Sequence, residues 1–180
     1  MKMVALLRGI NVGGNRKVPM KELHSIAVKA GLQQVKTYIN SGNLIFEVDK
    51  LSAADTTVLL EKAIQKHFGF AVDVVVRTEK QWKTYASKEP FTDAAKSRPN
   101  LLMIGLSKLP LPANIDSILS ERAAANERIK IINDAIWIDF ADGVARSKLT
   151  PTWINKAAGS PVTMRNWKTV MKLNEMLATE

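Results

Sequence analysis

The sequence predicts an α+β protein made of two tandem α/β-plait subdomains with antiparallel sheets. Three observations carry that prediction. The first half reads strand, helix, strand, strand, helix, strand. The second half repeats strand, helix, strand, strand, helix. Between them, KEPFTDAAKSRPN (residues 88–100) is polar, holds two prolines and reads as a linker. The split βαβ order is that of the ferredoxin-like plait. The expected subdomains are 1–88, which carries a glycine-rich loop, and 89–180, which is plait-like and ends in helices.

The elements follow from local pattern. Residues 3–7 (MVALL) are a short apolar run, expected to be a buried strand. A polar loop runs from Arg8 to Val18. Pro19 suits a first helical position, Leu23, Ile26, Ala27 and Ala30 form one stripe, and Gly31 ends that helix. Residues 34–39 and 44–48 alternate as strands around Asn40-Ser41-Gly42-Asn43, four strong turn formers. Ser52 with Asp55 marks a helix start, Leu60, Ile64, His67 and Phe68 share its face, and Gly69 stops it. Residues 72–77 are the fourth strand, and a short helix covers 79–87. In the second half, strands are expected at 100–106, 128–132 and 135–140, with an alanine-rich helix at 113–125. Thr150-Pro151 starts a helix. Thr163 is expected to cap the last helix, which presents Met164, Trp167, Val170, Met171, Asn174 and Leu177 on one face. The second half would then end in a helix where the first has its fourth strand.

Composition excludes several classes. The 180 residues include no cysteine, which rules out a cysteine nucleophile, a thiolate zinc site and an iron–sulfur cluster. The longest apolar runs, MVALL and LLMIGL, fall far short of the ~20 residues a membrane span needs. No secretory leader is evident, so a soluble, cytoplasmic protein is expected. Lysine and arginine number 26 against 17 Asp and Glu, for a net charge of +9. Residues 1–43 hold seven basic residues and one acid, and residues 146–173 hold six basic residues and no acid. A solubilising surface mixes both signs. Two basic blocks point instead to an anionic partner, a phosphate-bearing small molecule or nucleic acid.

The candidate site residues lie in those blocks. Arg8, Gly9, Asn11, Gly13, Gly14 and Lys17 form a strand-to-helix loop of the kind that holds anions. It is neither a Walker A loop nor a dinucleotide fingerprint, because the glycines fall at 9, 13 and 14. Gly13 or Gly14 is expected at positive φ, since the loop must turn back sharply. Arg165 and Asn166 are expected in the first turn of the last helix, where a cation opposes the helix dipole and calls for a bound anion or a carboxylate of the first subdomain, and Lys168 is a further candidate on that helix. Arg8 and Lys17 are expected to share a basic inter-subdomain face with Arg165 and Lys168. Asn40, Ser41 and Asn43 are secondary candidates. Their hairpin is expected at the opposite end of the sheet from the exit of the first strand, outside the loop's site. No metal site and no cofactor are expected, and the oligomeric state is not legible.

Three stretches carry a family resemblance: LRGINVGG with the downstream lysine and VPM (7–20), TYINSGNLIF (37–46), and LTPTWI with TMRNWKTVMKL (149–154 and 163–173). Together they resemble the bacterial family catalogued as domain of unknown function sixteen-ninety-seven, over essentially the whole chain. Asn40, Asn15-Arg16 and Leu44-Ile45 are mild departures. The resemblance implies two α/β-plait subdomains and no activity. The residues favour a non-enzymatic binder of a phosphorylated ligand or a nucleic-acid backbone. The alternative is an enzyme acting on a small phosphorylated or carboxylated substrate; with no catalytic signature present, it would use Lys17, Lys148 or Lys168, or rely on positioning and electrostatics alone.

Overall fold

In a computed structural model, which describes residues 1–179, the chain runs β1 (Lys2–Leu7), α1 (Met20–Lys29), β2 (Gln33–Tyr38), β3 (Asn43–Glu47), α2 (Ala53–Phe68), β4 (Val74–Thr78), α3 (Glu79–Ser87) and α4 (Thr92–Ser97). It continues through β5 (Leu102–Ser107), α5 (Ile115–Arg122), β6 (Glu127–Ile132), β7 (Ala135–Phe140), α6 (Pro151–Ala158), β8 (Val162–Asn166) and α7 (Trp167–Ala178). There are two four-stranded sheets, ordered β2-β3-β1-β4 and β6-β7-β5-β8, with every neighbouring pair antiparallel. The expected class, two tandem antiparallel plaits, is the class found.

Two compact units result. The first comprises Met1–Thr84 together with the stretch that begins at Leu173, and the second comprises Tyr85–Lys172. In the first unit, Met3, Ala5, Leu7, Leu44, Phe46, Val74 and Val76 bury one face of the sheet with Leu23, Ile26 and Ala27 of α1 and Leu60 and Ile64 of α2. The alternate residues Val4, Leu6, Ile45 and Val75 are buried too. Strands buried on both faces read as continuous apolar runs, which is why MVALL and VVV lack alternation. In the second unit, Ile136, Ile138, Phe140 and Val162 pack with Ile115 and Leu119 of α5 and Ile154 and Ala158 of α6. Each Val, Leu, Ile, Phe or Met among them stabilises by about 1.5–3 kcal/mol.

The caps follow the sequence in part. Ser52 accepts from Asp55 N at 3.1 Å, and Thr150 accepts from Trp153 N at 3.3 Å. Thr163, however, caps nothing. It lies in β8, paired with Leu106, and the cap of α7 is Asn166, whose Oδ1 accepts from Thr169 N at 2.9 Å. The second half therefore ends its plait with a fourth strand, as the first does. The expected linker is also structured in part, because α4 crosses it and buries Ala94.

The two sheets share their register. Met3 pairs with Phe46 and Thr78, as Met103 pairs with Ile138 and Asn166. Thr78 and Asn166, at matching positions, each cap the helix that follows. One residue earlier, Arg77 and Arg165 each donate Nη1 to the carbonyl of the residue before, at 3.0 and 2.8 Å. The halves thus repeat in position-by-position geometry, without close sequence identity.

The join between β1 and β3 yields a test. Leu7 N donates to Gly42 O at 2.8 Å. Gly42 sits at φ +78°, and a Cβ there would lie 2.6 Å from Ile10 Cδ1 and 2.8 Å from Leu7 Cβ. Gly42→Ala is expected to cost about 2–4 kcal/mol, from strain and overpacking together. Gly14→Ala, at the same φ but with nothing within 4 Å, is expected to cost about 1 kcal/mol. Urea denaturation measures both, and equal losses would show that packing plays no part.

Candidate functional site

The glycine loop folds into a two-residue hairpin. Asn11 N donates to Arg16 O at 3.1 Å, and Asn15 N donates to Val12 O at 3.2 Å. Gly13 and Gly14 form its tip at φ 60° and 78°, the pair of positive values that a tight type I′ turn demands. The positive φ expected from the sequence is present at both, and it serves a turn. Val12 at the tip is 71% exposed. The result is a projecting finger, residues 11–16, standing between β1 and α1.

The Asn11 side chain fixes the base of the finger. Its Oδ1 accepts from Val18 N at 2.8 Å, and its Nδ2 donates to Val18 O at 3.0 Å and to Asn40 O at 2.8 Å. The last of these bonds corrects the expected placement of the 40–43 turn. Because β3 runs antiparallel to β1, with Leu6 opposite Asn43, β3 begins where β1 ends. The turn and the finger therefore emerge together. Within the turn, Asn43 is fully buried and donates Nδ2 to Tyr38 O and to Ser41 Oγ, at 2.8 and 3.0 Å. Ile39, a β-branched residue at φ 47°, is strained there.

Between finger and turn lies a cleft of about 310 Å³, lined by Asn11, Gly14, Lys17, Val18, Pro19 and Asn40. α1 starts at its rim, with Pro19 in the cap position and no side chain capping the helix. Such a start carries partial positive charge. Lys17 is exposed. Arg16, which the sequence reading did not single out, brings its Nη1 within 3.9 Å of the position a Gly9 Cβ would take, beside Arg8. Arg8 Nη1 stands 3.8 Å from Asp73 Oδ2, so its charge is partly balanced.

The other predicted residues, Arg165, Asn166 and Lys168, belong to the second unit. Arg165 is on β8 and buried, not in a helical turn. Its Nη1 donates to Thr163 Oγ1 at 2.9 Å, and burial pushes its guanidinium pKa down to about 10. It is still charged at neutral pH. Asn166 is engaged in its capping bond, and Lys168 is exposed on the first turn of α7.

The second unit also holds an ion cluster that sequence reasoning missed. Asp139 on β7 has no exposed side-chain surface. Arg98 reaches its two oxygens with Nε at 2.9 Å and Nη2 at 2.5 Å, and Arg128 reaches Oδ2 with Nε at 2.9 Å and Nη2 at 2.7 Å. Asp93 on α4 bridges the same two arginines. Burial pushes the Asp139 carboxyl up, but the hydrogen bonds and charges of both arginines outweigh it and hold it below the usual range. The available signal was the β6–β7 hairpin: counting back from its Asn133-Asp134 turn sets Arg128 opposite Asp139. Among the described residues, no group of three or more His, Asp or Glu is placed to hold a metal, and no helix is long and apolar enough to cross a membrane.

The molecule is therefore a tandem double plait with a basic, glycine-turned finger at the first β–α junction. The model of the family described as "protein of unknown function (DUF1697)" matches residues 1–137, and the chain belongs to that family. Among solved structures it is similar to the conserved bacterial protein SP0830 from Streptococcus pneumoniae. The two are 26% identical, each is covered over 98% of its length, and the TM-score is 0.70. No curated protein matches the chain.

Two outcomes are expected. Asn11→Ala removes three hydrogen bonds and should cost about 1–3 kcal/mol, with faster amide exchange at Val18. Asp139→Asn tests the ion cluster. A carboxyl lowered in the folded state stabilises above its unfolded pKa, about 3.9, and that contribution is lost as pH falls through the lower folded value. The wild type should exceed the variant by about 3 kcal/mol at neutral pH, with the gap closing below about pH 4 in pH-dependent urea melts.

Proposed function

We propose that this protein binds a phosphate-bearing partner, without catalysing a reaction, at the finger and cleft of its first unit. The observation that carries this reading is the finger itself. Lys17 lines a cleft whose other walls are neutral asparagines, the glycine turn and the uncapped start of α1, and Arg16 stands on the same finger with its guanidinium beside Gly9. The basic first block, seven cations against one acid over residues 1–43, supports it. Arg16 and Arg8 supply donors for phosphate oxygens, Lys17 supplies a point charge, and the helix start favours the anion. The shared chemistry is the phosphate group, whether on a small ligand or along a nucleic-acid backbone.

The probes are inorganic pyrophosphate and a short DNA duplex, each titrated over a range of salt. A backbone contact gives a log–log slope of about −0.9 per phosphate neutralised, and a single small anion gives a shallow dependence. Arg16→Ala and Lys17→Ala are each expected to weaken binding by roughly tenfold, about 1.4 kcal/mol. Binding of neither probe, or binding that both substitutions leave unchanged, overturns the reading.

A further inference from the structure

We propose that Arg98 and Arg128 form a second phosphate site, in the second unit, which Asp93 occupies as an internal placeholder. The two arginines are held in place from below. Asp139, with no exposed surface, takes the Nε and one Nη2 hydrogen of each arginine and so fixes each guanidinium plane. Their outer ends reach the surface, with side chains 30% and 41% exposed, and Arg98 Nη1 donates to Ser97 Oγ at 3.3 Å. Both outer ends meet the same carboxylate. Arg128 Nη2 lies 2.9 and 2.8 Å from the two oxygens of Asp93, and Arg98 Nη2 lies 3.3 Å from one of them.

The two acids differ in how firmly they are held. Asp93 is 60% exposed and rides on the six-residue helix α4. An exposed carboxylate–arginine pair contributes little net stability, since water competes for both partners. Removing Asp139 would instead leave two arginines without their buried counterion. Asp93 is therefore the acid that exchanges and Asp139 the one that stays. With Asp139 in place the two arginines retain one positive charge in excess, which Asp93 alone balances.

A phosphate monoester carries nearly two charges and three acceptor oxygens, and arginine forks match its geometry. It outmatches one carboxylate at the same donors. Among the described residues, no group accepts from Nη1 of Arg128, so that edge is available to a further oxygen. The Arg128 guanidinium carbon lies over the ring of Phe91, 4.6 Å from its centroid, a cation–π contact that backs the site. This site does not depend on the finger of the first unit.

The test titrates inorganic phosphate into the full-length wild type and Asp93→Asn, following the Nε–Hε resonances of Arg98 and Arg128. Those resonances report this site and not the finger. Asp93→Asn keeps the side-chain size and touches no core residue. It is expected to bind phosphate at least tenfold more tightly than the wild type, with both arginine resonances shifting. Arg128→Ala in that background is expected to lose at least tenfold of this affinity, read at Arg98. Acetate serves as a parallel probe and should bind at least tenfold more weakly than phosphate. Equal phosphate affinity in wild type and Asp93→Asn, unmoved arginine resonances, or acetate binding as tightly as phosphate each overturns the proposal.

Discussion

The antiparallel grip on the first strand of each sheet is the constraint on which the rest of the structure depends. β1 is hydrogen-bonded to β3 on one side and β4 on the other, and β5 is held in the same way by β7 and β8. Because β3 runs against β1, the loop leaving β1 and the turn entering β3 emerge at one end of the sheet. The Leu7–Gly42 bond, the Asn11–Asn40 bond and the tight fit of Gly42 on Leu7 and Ile10 all follow from that direction. A finger of six residues has no core of its own. It holds its shape here because Asn11 ties its base to Val18 and to the neighbouring turn.

What the sequence revealed and what it hid divide along the range of the interactions. Local signals were legible. Ser52 and Thr150 cap their helices, Gly69 ends its helix in the left-handed conformation, and the apolar runs became strands. β8 was hidden because Val162–Asn166 is short, places Thr163 and Arg165 in alternation, and follows a proline. Thr163 offered a false cap four residues before the α7 helix, while the Asn166–Thr169 pair that caps it carries the same kind of signal. The end of the sheet at which the 40–43 turn emerges depends on pairing direction, which no window of sequence contains. Arg98 and Asp139 lie 41 residues apart, so nothing local joins them.

The matched registers explain where charge is tolerated inside the sheets. Arg77 and Arg165 occupy the same position, one residue before a helix cap, and each returns a hydrogen bond to the preceding carbonyl. A buried guanidinium needs acceptors on every side, because desolvation opposes its charge. The lowered pKa of Arg165 records that opposition. Its value near 10 still leaves the group charged at neutral pH, so Thr163 and Met164 act as acceptors for a cation. Asp139 meets the same cost differently. It sits beside Leu102 in β5, where Glu47 of the first sheet sits beside Lys2. One acid is solvated at a half-buried position, and the other is neutralised by two arginines.

Repetition of the frame makes its one large difference informative. The loop after β1 turns on glycines and exposes cations. The loop after β5 reads Lys108-Leu109-Pro110-Leu111-Pro112, with two residues that lack a backbone N–H. Its first N–H groups are already engaged, Lys108 N with Pro161 O and Leu109 N with Ser160 Oγ, both at 3.0 Å. At the first junction Arg8 N is engaged likewise, with Asp73 O at 3.0 Å, and Asn11 N, Asn15 N and Val18 N are bonded within the loop, so the junctions differ in their side chains more than in their backbone donors. The same junction in the first unit keeps its cations exposed and its helix start uncapped. The shared plait therefore supplies two scaffolds of one geometry, and the composition of a single loop sets Arg16 and Lys17 at the first β–α junction where the second has two prolines. In the second unit the clustered cations are instead side chains on β6 and at the end of α4, where carboxylates of the chain itself already pair with them.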